Sequence, residues 1–464
     1  MRRWLVPRVV LPVYQRLGRR TFWTEVERLR ALQWQSPDEL EVRAAGRLRP
    51  LLAHAFSHVP HYRDLLRKAG IVPEEIRSIA DLARIPVTSK SELRAGFPER
   101  VTADNLPARR RWASRTSGST GYLLDFYTDR AGEDSRLAAY LFSLEWAGLG
   151  PWNARVLLSS PAYFGYTTNF PRLSPFGRAA RRILLGERTI RMSGADLTLS
   201  QFQAVARNLR GGPGYYLRAY PSYGVRLARW LQEAAGDLAA YPQAVISMAE
   251  TLTPVAAATM REAFRCPVIN HYSAHEAPHM AQSCPDVPDV LHVNSERVIL
   301  RVVREDGTTA GPGERGRVLL TALSNHVMPF INYDLGDVAV AGSPCPCGRG
   351  FPTLSSLEGR DGEQIRTPTG RQISPSALEM HMTFACRLLP YISEYQAFQK
   401  SDDAVTLWVV PTDRFTEEAA TATRAALQEL LGPDMTVTIE PVDRIPAEPS
   451  GKRPVIKSME RRPS

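Results

Sequence analysis

Between residues 133 and 276 helical and strand-like runs alternate, and this alternation limits the fold more than any other feature of the sequence. Residues 133–147 place Leu137, Tyr140, Leu141 and Leu144 at helical spacing and close at Gly148. RVLLSS, residues 155–160, reads as a buried strand leading into an aromatic loop with Tyr163, Phe164 and Tyr166. Tyr220, Pro221 and Ser222 open a helix that ends near Gly236; a strand over 244–250, a helix over 254–264 and a strand plus loop in CPVINHYSAHE follow. Such a succession points to mostly parallel α/β layers, with ligands at the strand ends.

The flanks read differently. Ser36, Pro37 and Glu39 have the order of an N-cap, a first helical residue and a capping-box partner, so a long helix starts there and runs towards Ala55. The apolar pattern of residues 51–71 breaks at Pro60 and resumes as a second helix. From His292 onward β-hairpins dominate, with turn chemistry at Asp306 and Gly307. A change of composition at Glu358, Gly359 and Arg360 precedes AVTLWVV, a helix capped by Thr416, and MTVTIEPV. The expected architecture is a large multi-layer α/β domain over 1–358 and a small, mobile α+β domain over 359–464. A chain of 464 residues is long enough for both cores.

The net charge of +10 comes from scattered Lys and Arg offset by 48 acids, which argues against nucleic acid and suits a small polyanionic substrate. No apolar run approaches the ~20 residues needed to span a bilayer. Residues 1–20 carry Arg2, Arg3, Arg8, Arg16, Arg19 and Arg20 around an apolar patch that Pro7, Arg8 and Pro12 interrupt. They read as an arm packed on the body, with weak membrane-surface contact as the alternative. Five cysteines are too few and too irregular for a disulfide framework, so a reducing cytoplasm is expected. A homodimer is compatible with the sequence and not required by it.

In RTSGSTGYLLDFY, residues 115–127, glycines and hydroxyls lie between a basic start and a strand-like exit. Backbone N–H groups and hydroxyls there converge on an anion when Gly118 and Gly121 turn the chain, although a Ser/Thr/Gly turn between strands has the same composition. Cys345-Pro-Cys347-Gly forms a knuckle-like pair, with Cys284 and His292 upstream; together they supply a tetrahedral zinc set, against the simpler reading of semi-buried thiols.

In order, RTSGSTG, SMAETLTP, NHYSAHEA, INYDLGD, EGRDGEQIRTPTGRQISP and PSGKRPVIKS resemble the motif series of adenylate-forming ligases. The chain looks most like the phenylacetate:CoA ligase branch and its capsule-biosynthesis type; HVPHYRDLL and RIPVTSKSEL extend the likeness. The resemblance implies that Thr116, Ser117, Gly118, Ser119, Thr120 and Gly121 grip ATP phosphates. A lysine often follows this loop in the family; Tyr122 stands there instead. Tyr272 would lie against adenine and Glu276 would hold Mg2+, with Ser273 and His275 replacing the usual glycine and threonine. Asp337 would accept the ribose hydroxyls after a tight turn at Gly336. Arg360 would mark the hinge, its acidic pair replaced by Gly362 and Glu363, and Lys452 would be the catalytic lysine of the small domain.

The implied reaction joins a carboxylic acid, aryl if the aromatic loop lines its pocket, to ATP as an acyl-adenylate, then passes it to coenzyme A. An amide-forming ligase with an amine acceptor and a nucleotide-binding accessory protein with degenerate catalysis are the alternatives.

Overall fold

The computed structural model describes all residues except 1, 108–110, 117–123, 160–188, 194–196, 213, 235–236, 385–387, 389–390, 449–451 and 459–464. Ser36 caps the helix Pro37–His58 through a complete capping box: its Oγ accepts from Glu39 N at 3.3 Å and Glu39 Oε2 accepts from Ser36 N at 2.8 Å. At Val59 the backbone becomes extended, which admits Pro60 as the first residue of the helix Pro60–Lys68. Leu48, Leu51, Leu52, Tyr62 and Leu66 from this pair pack with Ile299 and Ile331 in one buried cluster.

β1 (Trp112–Arg115) and β2 (Asp125–Thr128) form an antiparallel ribbon. The next strands are β3 (Ala154–Ser159), β4 (Thr189–Ser193), β5 (Tyr215–Ala219), β6 (Val245–Ser247) and β7 (Val268–Tyr272). After them come β8 (Ala281–Ser283), β9 (Leu291–Val293), β10 (Val298–Val303), β11 (Arg315–Ala322), β12 (Tyr333–Ala341) and β13 (Thr353–Arg360). Together β3 to β13 make an eleven-stranded sheet in the order β10-β11-β12-β13-β9-β8-β7-β6-β5-β3-β4. It is parallel from β4 to β7, and antiparallel from β7 through β8 and β9 towards β13 and β12.

The alternating stretch therefore builds the parallel half. Val156, Leu158, Leu217 and Val245 point to one face, where the helices Leu199–Leu209, Pro221–Glu233 and Pro254–Phe264 bury Phe202, Leu227 and Phe264 against them. Tyr216 and Ile246 point to the other, against Tyr140 and Leu144 of the helix Arg130–Trp146. This is the period-two division expected of a strand covered on both faces.

Two local expectations change. β6 stops at Ser247 rather than at Glu250 because Ala249 adopts φ +68°, which turns the chain and swings Glu250 out of the strand line. The tight turn expected at Gly336 is a bulge inside β12, where Gly336 at φ +71° accompanies a register shift in the pairing with β11.

The smaller unit contains β14 (Ile365–Arg366), β15 (Gln372–Ile373), β16 (Ile392–Ser401), β17 (Ala404–Pro411), β18 (Thr436–Pro441) and β19 (Ile456–Ser458). Its four-stranded sheet has the order β18-β17-β16-β19, with Leu378, Leu407, Val409, Leu427 and Ile456 in its own core. The helix Glu417–Leu431 is capped by Thr416, whose Oγ1 accepts from Ala419 N at 3.2 Å. β13 continues through Arg360, so the large sheet reaches to the start of this unit. Among the described residues no helix is long and apolar enough to cross a membrane.

Candidate active site

The β12–β13 register pairs Asp337 with Arg360, and the Arg360 Nε lies 3.5 Å from Asp337 Oδ1. From the end of β7, the Tyr272 hydroxyl donates to Asp337 Oδ2 at 2.6 Å. Burial pushes the Asp337 carboxyl above its ordinary value, while Arg360 and the Tyr272 hydroxyl act in the opposite sense. Burial also raises the Tyr272 phenol, and the neighbouring Asp337 raises it further. Three motifs far apart in sequence thus meet in one charged cluster.

Beside it, Glu276 Oε1 accepts from the Tyr333 hydroxyl at 3.1 Å. Burial depresses the Lys90 ammonium against the attraction of Glu276. His275, whose ring donates to the Arg115 carbonyl, is held below the usual imidazole value by burial first. Glu276 Oε2 has no protein partner among the described residues, which leaves one hard oxygen donor for a cation such as Mg2+.

Lys452 reaches this cluster from the smaller unit. Burial lowers its pKa and Arg360 adds to the effect, whereas Glu363, Glu250 and Asp337 favour the charged ammonium. Glu250 clasps the adjoining backbone: it accepts from Arg453 N at 2.9 Å, Ser222 N at 2.9 Å and Ser222 Oγ at 3.0 Å. The Arg453 guanidinium donates to Glu394 Oε2 at 2.9 Å, and Arg229 donates to the Ser393 carbonyl at 2.6 Å. A cavity of about 120 Å³ lies between the two units, lined in part by Ser222, Glu250, Thr251, Glu363 and Lys452.

Of the proposed phosphate loop, Thr116 is described. Its N–H donates to the Leu124 carbonyl at 2.9 Å and its Oγ1 accepts from Leu124 N at 2.9 Å, so the two ends of the loop are tied together. Ser117, Gly118, Ser119, Thr120, Gly121 and Tyr122 lie outside the described residues, as do Tyr163, Phe164 and Tyr166.

The ligating atoms of Cys284, His292, Cys345 and Cys347 all lie within 4.8 Å of one another. Cys345 Sγ is 3.9 Å from Cys284 Sγ, and Cys347 Sγ is 3.4 Å from His292 Nε2. His292 Nδ1 meets the Phe351 carbonyl at 3.3 Å; as the donor there, it leaves the Nε2 lone pair facing the thiols. Burial raises the Cys347 thiol, but the Arg349 backbone N–H, 3.4 Å from the sulfur, helps to bring it below the usual thiol value. The donor set fits zinc in a closed tetrahedral site. His271 and His279 stand apart from it, paired with each other through His279 Nδ1 and His271 Nε2 at 2.7 Å.

The site also contains residues not singled out from the sequence: Lys90, Glu250, Ser222 and Tyr333. Glu250 sits in SMAETLTP and Tyr333 in INYDLGD, so the motifs that carry them were visible. Their partners lie 28 residues away for Glu250–Ser222 and 57 for Tyr333–Glu276, beyond the reach of any local spacing rule.

The sheet order and the small α+β unit give the fold seen in solved adenylate-forming ligases. The similarity to solved structures agrees: a 2-hydroxyisobutyryl-CoA ligase in the postadenylation state gives a TM-score of 0.73 at 20% identity, covering 92% of this chain and 91% of that one. The same enzyme in its thioesterification state gives a TM-score of 0.57. An anthranilate CoA ligase in complex with anthranoyl-AMP gives 0.54 at 17% identity, covering 73% of this chain and 64% of that one.

In sequence the chain is similar to phenylacetate-coenzyme A ligases and to CapK. It is 25% identical to the phenylacetate-coenzyme A ligase of Escherichia coli, over 78% of this chain and 80% of that protein. It is 20% identical to protein CapK of Staphylococcus aureus, over 84% and 83% respectively. Residues 366–459 match the model of the CapK C-terminal domain.

Proposed function

We propose that this protein activates a carboxylic acid with ATP to an acyl-adenylate and then transfers the acyl group to the thiol of coenzyme A. The observation that carries the reading is the position of Lys452 in the lining of the cavity at the junction of the two units, beside Glu250 and Glu363 and within the electrostatic reach of Asp337 and Arg360. In the first step a substrate carboxylate oxygen attacks the α-phosphorus of ATP and the bond to pyrophosphate breaks. Lys452 supplies an ammonium to the charge that develops between the two anions. The Asp337 carboxylate offers two acceptor oxygens to the vicinal ribose hydroxyls, and Tyr272 presents its ring to the adenine. The loop over residues 116–121 takes the phosphates.

Glu276 would hold Mg2+, which shields the phosphate charge from the incoming carboxylate. In the second step the thiol sulfur attacks the acyl carbonyl carbon, the carbon–oxygen bond to AMP breaks, and the thiol proton is lost to solvent. The better match to the postadenylation state than to the thioesterification state supports the idea that the observed arrangement serves the first step and that the smaller unit turns for the second. Cys284, His292, Cys345 and Cys347 would hold a structural zinc, fixing the hairpin end of the large sheet without touching substrate.

Incubation with a panel of aryl, fatty and hydroxy acids, MgATP and coenzyme A tests the proposal. AMP, pyrophosphate and an acyl-CoA are expected with at least one acid. ADP as the product would contradict adenylation. AMP formed with an acid, but acyl transfer only to an added amine, would keep adenylation and overturn the thiol acceptor.

A further inference from the structure

We propose that the N-terminal helical segment docks the protein on an anionic phospholipid surface. This inference does not depend on the catalytic reading.

Residues 2–18 run as one helical stretch, Arg2–Leu5, a π-helical turn Val6–Val10, and Leu11–Gly18. One side is bound to the body: Val6 and Leu11 are buried, and with Val10 and Tyr14 they join a cluster containing Phe22, Trp23 and Phe142. The other side is exposed, with Trp4 at 58%, Leu5 at 38%, Val9 at 43%, Val13 at 47% and Leu17 at 83%. From Leu5 the exposed apolar residues recur at every fourth position, and the wider π turn keeps them in one stripe. Among the described residues nine large hydrophobics are exposed, and five of them belong to this stripe. A concentration of this kind marks a contact surface, whereas scattered exposed hydrophobics need no explanation.

The charge of the segment selects the occupant. The first 24 residues hold six arginines and no Asp or Glu. Arg20 is committed to Asp134. Arg8, Arg16 and Arg19 are exposed beside the stripe and have no carboxylate partner among the described residues. The Arg8 guanidinium lies over the Trp4 ring, 5.3 Å from its centroid, an arrangement that keeps the cation at the edge of an apolar surface. Apolar side chains flanked by arginines are what an interfacial helix needs to enter the headgroup region while its cations meet lipid phosphates. Against a second copy, the same stripe would bring arginines to arginines with no acid of the segment to face them. The segment is too short to span a bilayer and carries Pro7 and Pro12, so it would lie on the surface.

Flotation of the full chain with vesicles of phosphatidylcholine, with or without phosphatidylglycerol, reads this directly. Binding is expected to be at least ~10-fold stronger to the anionic vesicles and to fall towards the neutral value in ~0.5 M salt. A Val13→Glu/Leu17→Glu variant should lose binding by about tenfold or more with its thermal unfolding midpoint unchanged, and Arg8→Gln/Arg16→Gln/Arg19→Gln should lose the preference for anionic lipid. No binding by the unmodified chain, equal binding to both vesicles, or a stripe variant that binds as before would overturn the proposal. A dimer that ignores vesicles and is split by the stripe variant would assign the surface to a second copy, and would overturn it as well.

Discussion

Glu250 joins the two units through a single carboxylate. It accepts from the backbone next to Lys452 and from both donor groups of Ser222, and burial alone would push its pKa up. Without those donors the buried carboxylate would be costly, and without the carboxylate the Arg453 N–H loses its partner. Glu250→Ala is therefore expected to remove about 1–3 kcal/mol of docking of the lysine-bearing segment, and to slow adenylation by roughly tenfold to a hundredfold at saturating ATP. Steady-state kinetics of acid-dependent AMP formation would check this; an unchanged rate would separate Glu250 from lysine placement. At this scale the sequence was informative about Tyr272, Glu276, Asp337 and Lys452, because each sits in a recognisable motif. It was silent about Lys90 and Ser222, whose roles arise only when the sheet brings distant strand ends together.

At the scale of elements, the Cys345–Cys347 knuckle is pressed against the start of the long N-terminal helix. Gly350 N donates to the Gln33 carbonyl at 2.9 Å, and a Cβ at Gly350 would meet the Gln35 carbonyl oxygen at 1.8 Å. Ligation by Cys284, His292, Cys345 and Cys347 would tie this knuckle to β8 and β9, so its removal should loosen the helical cap as well. Purified protein is expected to hold about one zinc per chain, and Cys347→Ser or a chelator at neutral pH should lower the thermal midpoint by several degrees. Protein purified without zinc, or a midpoint indifferent to the chelator, would contradict the assignment. The knuckle and its two upstream partners were legible from residue types. The precise length of β6 was not, since a positive φ at Ala249 has no signature in an alanine. Nor was the place of Asp337 within a strand, because Leu-Gly-Asp reads locally as a turn and only the pairing of β12 with β11 absorbs the extra residues as a bulge.

For the whole molecule, the interface between the units carries a pH-dependent group. Glu379, on the helix Pro375–Phe384 of the smaller unit, has its pKa pushed from 4.5 up to about 7 by burial, against the attraction of Arg229 and a hydrogen bond from the Ala256 backbone of the larger unit. The folded protein keeps this proton where the unfolded chain has released it. The associated stability is thus fully present below about pH 4.5 and is lost as pH rises through about 7, an effect on the order of 3 kcal/mol. Glu379→Gln should flatten that decline in denaturant unfolding measured from pH 5 to 8; a slope equal to that of the unmodified protein would contradict it. The alternation of helices and strands had already indicated the parallel half with its covering helices. How the units face each other was not legible, because it depends on Arg453 meeting Glu250 and Arg229 meeting Ser393 across a boundary that no local pattern marks.

The central claim is that Lys452 completes an adenylation site shared by both units, and acid-dependent exchange of labelled pyrophosphate into ATP tests it most directly. Exchange with at least one acid of the panel is expected, reduced at least ~100-fold in Lys452→Ala while ATP binding persists. Exchange that is as fast in the variant as in the unmodified protein would contradict the account, as would ATP turnover without any acid-dependent exchange.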